Sequence, residues 1–296
     1  MGIKGLAIIG ESINDSVPST QKLYEANDIE GLKTLVRMQD EGGAAYIDVN
    51  VGLRSAAFLA EMVRHIQSVT TKPLSIDTPD PAMAEAALRA YDVRRAGSQM
   101  PILNSISPLR AEMFQLHRLQ PFKPILLSSE RNDNGHAAPN HTAEEVHQTA
   151  KELVQEAQQH GIGMDQCIID PAICPIGADS EGNLKRLVGA MQLIHGDASL
   201  RGVHLSVGLS NFTVMLPSKC ADGSPTKGPL ESAFLTLAVP LGLDYIIGSV
   251  KRKYELLPPD HPAMVCLTDC LKLDGFDVVM RVREFYTQPL AERISP

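Results

Sequence analysis

Tryptophan is missing from this sequence, and aromatic residues fill only 4% of its 296 positions. Aliphatic side chains must therefore fill the core, and the aromatic platforms on which single-stranded nucleic acid stacks are scarce. Positive charge is also short: 27 Lys and Arg stand against 35 Asp and Glu, a net charge of −8. The densest basic cluster, Lys251, Arg252 and Lys253, is too brief to follow a phosphate backbone, so no nucleic-acid partner is expected. Cysteines number 5, at positions 167, 174, 220, 266 and 270, an odd and scattered set that is no disulfide framework and suits a reducing compartment. Cys266 and Cys270 share a helix face, but no second Cys or His pair lies at zinc-binding spacing, so they read as packing and no metal site is expected. Long apolar runs are absent from the start of the chain. "MGIKGLAIIGES" carries one lysine and an apolar stretch too short for a signal peptide or a membrane span, and Leu6 stands where a myristoylation motif wants Ser or Thr. A soluble, cytoplasmic protein with no membrane partner is expected.

What is present is an ordinary globular balance, with 44% hydrophobic and 21% charged residues. The chain repeats one unit: a short β-branched run, a polar or Gly-containing end, then a segment with helical spacing. The runs are residues 5–10, 44–52, 72–77, 99–105, 123–129, 166–171, 202–208 and 243–248. Between them, "DIEGLKTLVRMQDEGG" places Ile29, Leu32, Leu35, Val36 and Met38 largely on one stripe and closes on glycines. "HTAEEVHQTAKELVQEAQQHG" opens with Thr142 and Glu145 as a capping box and stops at Gly161. Strands alternating with helices imply a parallel sheet, and eight such units, spaced about 25 to 40 residues apart, predict a closed (β/α)8 TIM barrel, an α/β fold, spanning 1–296 as a single domain. No Gly-x-Gly-x-x-Gly follows the first strand, so the dinucleotide-binding alternative lacks its fingerprint. "SSERNDNGHAAPNH" and "NFTVMLPSKCADGSPTKGP" read as irregular loops on one face; His204 and the Met191, Leu193, Ile194 stripe read as core.

In such a barrel the C-terminal strand ends build the active site. Those ends carry Glu11 and Asn14, Asp48 and Asn50, Asp77, Asn104, Ser128 and Ser129, Asp170, then Ser210 and Asn211. Any one of the Asp and Asn residues also suits a helix cap. Together they form a ring of acceptors and donors, with no catalytic His, no Ser-His-Asp set, no strand-end Lys and no metal-ligand cluster. Asp only accepts hydrogen bonds and Asn does both, so the ring fits a flat heterocycle with one edge of adjacent N–H groups and another of alternating N and O, as in a pterin.

The segments "IIGESIN" (8–14), "IDVNVG" (47–52), "SIDT" (75–78), "LNS" (103–105), "IIDPAICP" (168–175) and "VGLSN" (207–211) resemble, in order and spacing, the pterin-binding methyltransferases that move a methyl group between tetrahydrofolate and a corrinoid protein. The resemblance implies a barrel, usually dimeric, that binds tetrahydrofolate or 5-methyltetrahydrofolate in its mouth and holds no metal of its own. It implies that Asp77, Asn104 and Asp170 hydrogen-bond the pterin, that Asn211 lies near N5, and that Gly208 and Ser210 let the backbone approach the ring. Asn14, Asp48 and Asn50 match supporting positions. Lys219 and Ser232 stand where the family often has arginines. The implied activity is reversible methyl transfer by a 5-methyltetrahydrofolate:corrinoid protein Co-methyltransferase. The chain lacks the Asp-x-His-x-x-Gly motif of corrinoid carriers, so the corrinoid would ride on a separate protein, and a demethylase system, such as one for O-demethylation, that feeds methyl groups to tetrahydrofolate is the expected context. Two alternatives stand beside this. A dihydropteroate synthase shares the Asp-Thr of Asp77 and Thr78 but would carry an Arg-Pro-Gly loop after strand two and a late Arg-x-His, both missing here. The other is a non-catalytic folate-binding subunit.

Overall fold

The computed structural model describes residues 2–288, so the last eight positions of the expected domain, 289–296, lie outside the described residues. Its strands are β1 (Ala7–Gly10), β2 (Tyr46–Val49), β3 (Leu74–Asp77), β4 (Ile102–Ile106), β5 (Lys123–Leu127), β6 (Glu130–Asp133), β7 (His136–Pro139), β8 (Ile168–Asp170), β9 (His204–Gly208) and β10 (Leu243–Gly248). Eight of them close into a barrel in the order β1-β10-β9-β8-β5-β4-β3-β2. Every adjacent pair around the barrel is parallel. Each of the eight runs expected to form a strand contributes one, and the (β/α)8 barrel is the observed architecture. No helix among the described residues is long and apolar enough to cross a membrane.

The helices form where the sequence places their signals. Asp28 accepts from the Gly31 backbone N–H at the start of Ile29–Glu41, and that helix turns Leu32 and Val36 into the core. Thr142 and Glu145 cap Ala143–Gln159 reciprocally, and the stripe Val146, Ala150, Leu153, Val154 and Ala157 is buried. Burial of each large aliphatic side chain contributes about 1.5–3 kcal/mol, so such stripes fix the helices against the barrel wall. β2 is buried along its whole length because helices cover its outer face and the barrel interior covers the other.

Two local expectations are corrected. Met191 and Ile194 are buried but Leu193 is 36% exposed, since it falls between them and so off their stripe. His204 is not a plain core residue: its Nδ1 lies 2.5 Å from the Asp244 carboxylate, with the ring edge-on to Tyr245. A third difference is larger. The stretch after β5, expected as irregular loop, folds into an antiparallel hairpin of β6 and β7 outside the barrel. Asn134 and Gly135, both at positive φ (52° and 88°), make the turn. An Asn-Gly pair is a strong hairpin signal, but "ERND" and "HAAP" lack the apolar alternation that would have marked strands on either side.

Candidate active site

Side chains alternate along a strand, so inward residues recur every second position. Near the barrel floor, Ile9, Tyr46, Ile102, Ile125, Ile168 and Tyr245 pack together as one cluster, and Ser75 and Ser206 are also fully buried. Two positions further along β1, β3, β4, β5, β8, β9 and β10 come Glu11, Asp77, Asn104, Leu127, Asp170, Gly208 and Ile247; Asn50 is four beyond Tyr46. All eight line a cavity of about 590 Å³ at the mouth, together with Asn14, Asp15, Asn211, Ala172 and Ile173 among others. Each barrel strand thus contributes to its wall.

The ladder register sets Asp77 beside Asn104, and the Thr78 N–H donates to the Asn104 carbonyl at 2.8 Å. Asn50 Nδ2 donates to Asp77 Oδ2 at 3.0 Å, while the Gly52 N–H holds Asn50 Oδ1 at 2.8 Å. This fixes the Asp77 carboxylate and leaves its second oxygen for a ligand. The Ala172 N–H donates to Asp170 Oδ1 at 2.8 Å, again leaving one oxygen open. Asp48 does not line the cavity; it is fully buried behind it, where Asn14 Nδ2 reaches its Oδ2 at 3.5 Å. Asn14 Oδ1 in turn accepts from the Ser16 N–H at 3.0 Å.

Burial raises the pKa of Glu11, Asp48, Asp77 and Asp170. Asp170 is pushed up to about 7 by burial, partly offset by the Ala172 N–H. Burial, with the Asp77 charge adding to it, raises Asp48 well above the usual range; burial also raises Asp77, against the hydrogen bond from Asn50. Glu11 is raised by burial and eased by the Ser210 hydroxyl, which donates to it, and by the charge of Arg252. Among the described residues no lysine or arginine lines the cavity. A donor-rich ligand would find these acceptors prepaid in position but under-bonded.

Strand β9 ends in Gly208, and the short helix Leu209–Phe212 turns Asn211 back over it. A Cβ at position 208 would lie 2.8 Å from Asn211 Nδ2, which is why this strand ends without a side chain. The Asn211 carboxamide makes no hydrogen bond with any described residue. Behind it, Thr213 Oγ1 donates to the buried Glu231 at 2.5 Å, and Glu231 pairs with Arg252.

Of the residues expected at the site, Asn14, Asn50, Asp77, Asn104, Asp170, Gly208 and Asn211 meet at one cavity. Ser210 turns its hydroxyl to Glu11 and is not in the lining, and Asp48 lies behind. Lys219 stands apart: it is exposed, its backbone bridges to Pro225, and it does not line the cavity, because the loop after β9 carries it outward. Ser232 is buried and accepts from the Glu255 N–H at 3.3 Å. The guanidinium in this neighbourhood comes instead from Arg252, after β10, which a reading of "GSVKRK" as a charge run does not reveal. Among the described residues no group of three or more His, Cys, Asp or Glu is placed to hold a metal ion.

The mouth of this closed barrel is ringed by fixed Asp and Asn acceptors of the kind a flat, nitrogen-rich ring uses. The chain belongs to the pterin binding enzyme family, whose pattern it matches over residues 14–248. It is similar to the methylcorrinoid:tetrahydrofolate methyltransferase of Eubacterium limosum, with 26% identity over 81% of this chain and 83% of that protein. Among solved structures it is similar in fold to dihydropteroate synthase from Xanthomonas albilineans in complex with 7,8-dihydropteroate, with a TM-score of 0.52, 17% identity, and 92% of this chain and 94% of that one covered.

Proposed function

We propose that this chain transfers a methyl group between the cobalt of a separate corrinoid protein and N5 of tetrahydrofolate, working toward 5-methyltetrahydrofolate in a demethylase system. The observation that carries this reading is the Gly208–Asn211 turn, which brings an uncommitted carboxamide to a mouth lined by Asp and Asn side chains. Asp77 and Asp170 accept from the N–H groups of the amino-pyrimidine edge, and Asn104 both donates and accepts on the ring. Leu127 and Ile247 give the ring apolar contact. Asn14, Asp48 and Asn50 hold this set in register. The similarity to the Eubacterium limosum protein supports the choice of acceptor and partner.

N5 of tetrahydrofolate is a secondary amine. Its lone pair forms the new N–CH3 bond, the electron pair of the broken bond stays with the corrinoid, and the N5–H becomes acidic as the nitrogen gains positive charge. Asn211 can accept a hydrogen bond from that N5–H through Oδ1 and, in the reverse direction, donate one to N5 through Nδ2, while the proton itself passes to or comes from solvent, so its hydrogen bond strengthens as charge develops. The corrinoid supplies or takes the methyl group; this chain binds, orients and shields N5.

A dihydropteroate synthase would have to stabilise a departing diphosphate, and among the described residues no Lys or Arg lines the mouth to do so. The test is calorimetric titration with tetrahydrofolate. Wild type binds it, and Asp77→Ala weakens binding by about 2–4 kcal/mol because ligand N–H groups lose their acceptor. An unchanged affinity in the variant removes Asp77 from the site.

A further inference from the structure

A second cavity, of about 460 Å³, opens beside the mouth, walled by the β6–β7 hairpin and by Cys174 and Arg186; Ala172 lines both cavities. We propose that it is the subsite for the aminobenzoyl-glutamate tail of folate, with Arg186 as the anchor for the tail's carboxylates. This rests on the pterin reading of the mouth.

Arg186 is half-buried and oriented but electrically uncommitted. Its Nη1 donates to the Asn140 carbonyl at 2.7 Å, which fixes the plane of the guanidinium. Its Nε is buried without a hydrogen-bond partner, and it forms no ion pair with any described carboxylate. A sheltered cation without a counter-charge gains from an arriving anion, and a planar guanidinium suits a carboxylate. Glu130 also lines the cavity; its Oε1 is buried with no hydrogen-bond partner and is 4.0 Å from Arg110 Nη1. That oxygen can accept from an N–H. Glu181 also lines the cavity, but it is exposed, where water and salt screen its charge. The pairing of an N–H acceptor with a cation matches the tail, which carries amine and amide N–H groups followed by carboxylates.

The link between the two cavities is covalent and short. Asp170, open to the pterin on one oxygen, uses the other to hold the Ala172 N–H, and Ala172 adopts a left-handed φ of 60° at the shared wall. A ring seated against Asp170 therefore has a neighbouring path past Ala172. The hairpin exists to wall that path, which gives a use to the one pair of strands the barrel does not need.

The test compares two ligands, 5-methyltetrahydrofolate and a 5-methyltetrahydropterin with no tail, by calorimetry against wild type, Arg186→Gln and Lys219→Gln. Wild type should bind the folate at least tenfold more tightly than the tailless ligand. Arg186→Gln should lose that difference by weakening the folate alone, its unchanged affinity for the tailless ligand showing an intact fold, and Lys219→Gln should keep it. Equal wild-type affinity for the two ligands overturns the subsite without recourse to any variant. So does a variant that weakens both ligands equally, with Arg186→Lys failing to restore the difference, or one that weakens neither. Failure of wild type to bind either ligand overturns the pterin reading itself.

Discussion

Gly208 shows how one absent methyl group can set chemistry. The added Cβ of Gly208→Ala would press on the amide end of Asn211 rather than on backbone, so the fold should survive while the carboxamide is displaced. The expected outcome is a change of less than about 1 kcal/mol in stability with a loss of transfer rate, separated by a denaturation curve and single-turnover kinetics. Asn211→Ala should keep most ligand affinity and lose roughly a hundredfold in rate, as when other preorganised hydrogen-bonding groups are removed; equal losses in binding and rate would argue against a role at N5. Asp170 gives a different kind of test. Because its folded pKa is raised to about 7, above its unfolded value, it favours the folded state fully only below the unfolded pKa, and that contribution is lost as pH rises through about 7. Asp170→Asn, which carries no charge to bury, should therefore raise the melting temperature at pH 8 relative to wild type, gain little at pH 4, and bind tetrahydrofolate poorly at both. At this scale the sequence was largely readable, since strand-end Asp and Asn residues announce themselves. Glu11 was visible as a strand end too, but its link to Ser210, 199 positions away, is set by barrel closure and could not be read from the chain.

At the scale of elements, strand and helix periods survived translation into structure because burial on both faces of a parallel strand leaves a strong apolar signature. The hairpin did not, because exposed strands need no such signature. The support behind Asn211 was equally hidden: helix Lys227–Ala238 offers the buried Glu231, the turn after β9 offers Thr213, and the loop after β10 offers Arg252. Three segments meet there only after the barrel closes. Removing Arg252 leaves Glu231, 0% exposed, without its cation. Arg252→Ala should therefore destabilise the fold by about 3 kcal/mol, measurable by urea unfolding. A variant as stable as wild type would mean that the pair carries no structural weight.

For the whole molecule, the barrel gathers under-bonded carboxyls around one mouth and so couples ligand binding to protons. A ligand whose N–H groups satisfy Asp170 lowers its pKa, so binding should release protons near neutral pH and weaken as pH falls below about 7, toward a limit of tenfold per pH unit for each proton released. Titration in buffers of different ionisation enthalpy checks this, and an affinity flat between pH 5.5 and 8 would count against it. The most direct measurement is a single turnover in which a purified corrinoid protein, methylated on cobalt, is mixed with tetrahydrofolate and this protein while the cobalt absorbance is followed and the folate product identified. The account predicts demethylation of the corrinoid with matching formation of 5-methyltetrahydrofolate, slowed roughly a hundredfold by Asn211→Ala. Tight binding of tetrahydrofolate with no methyl transferred in either direction would contradict it.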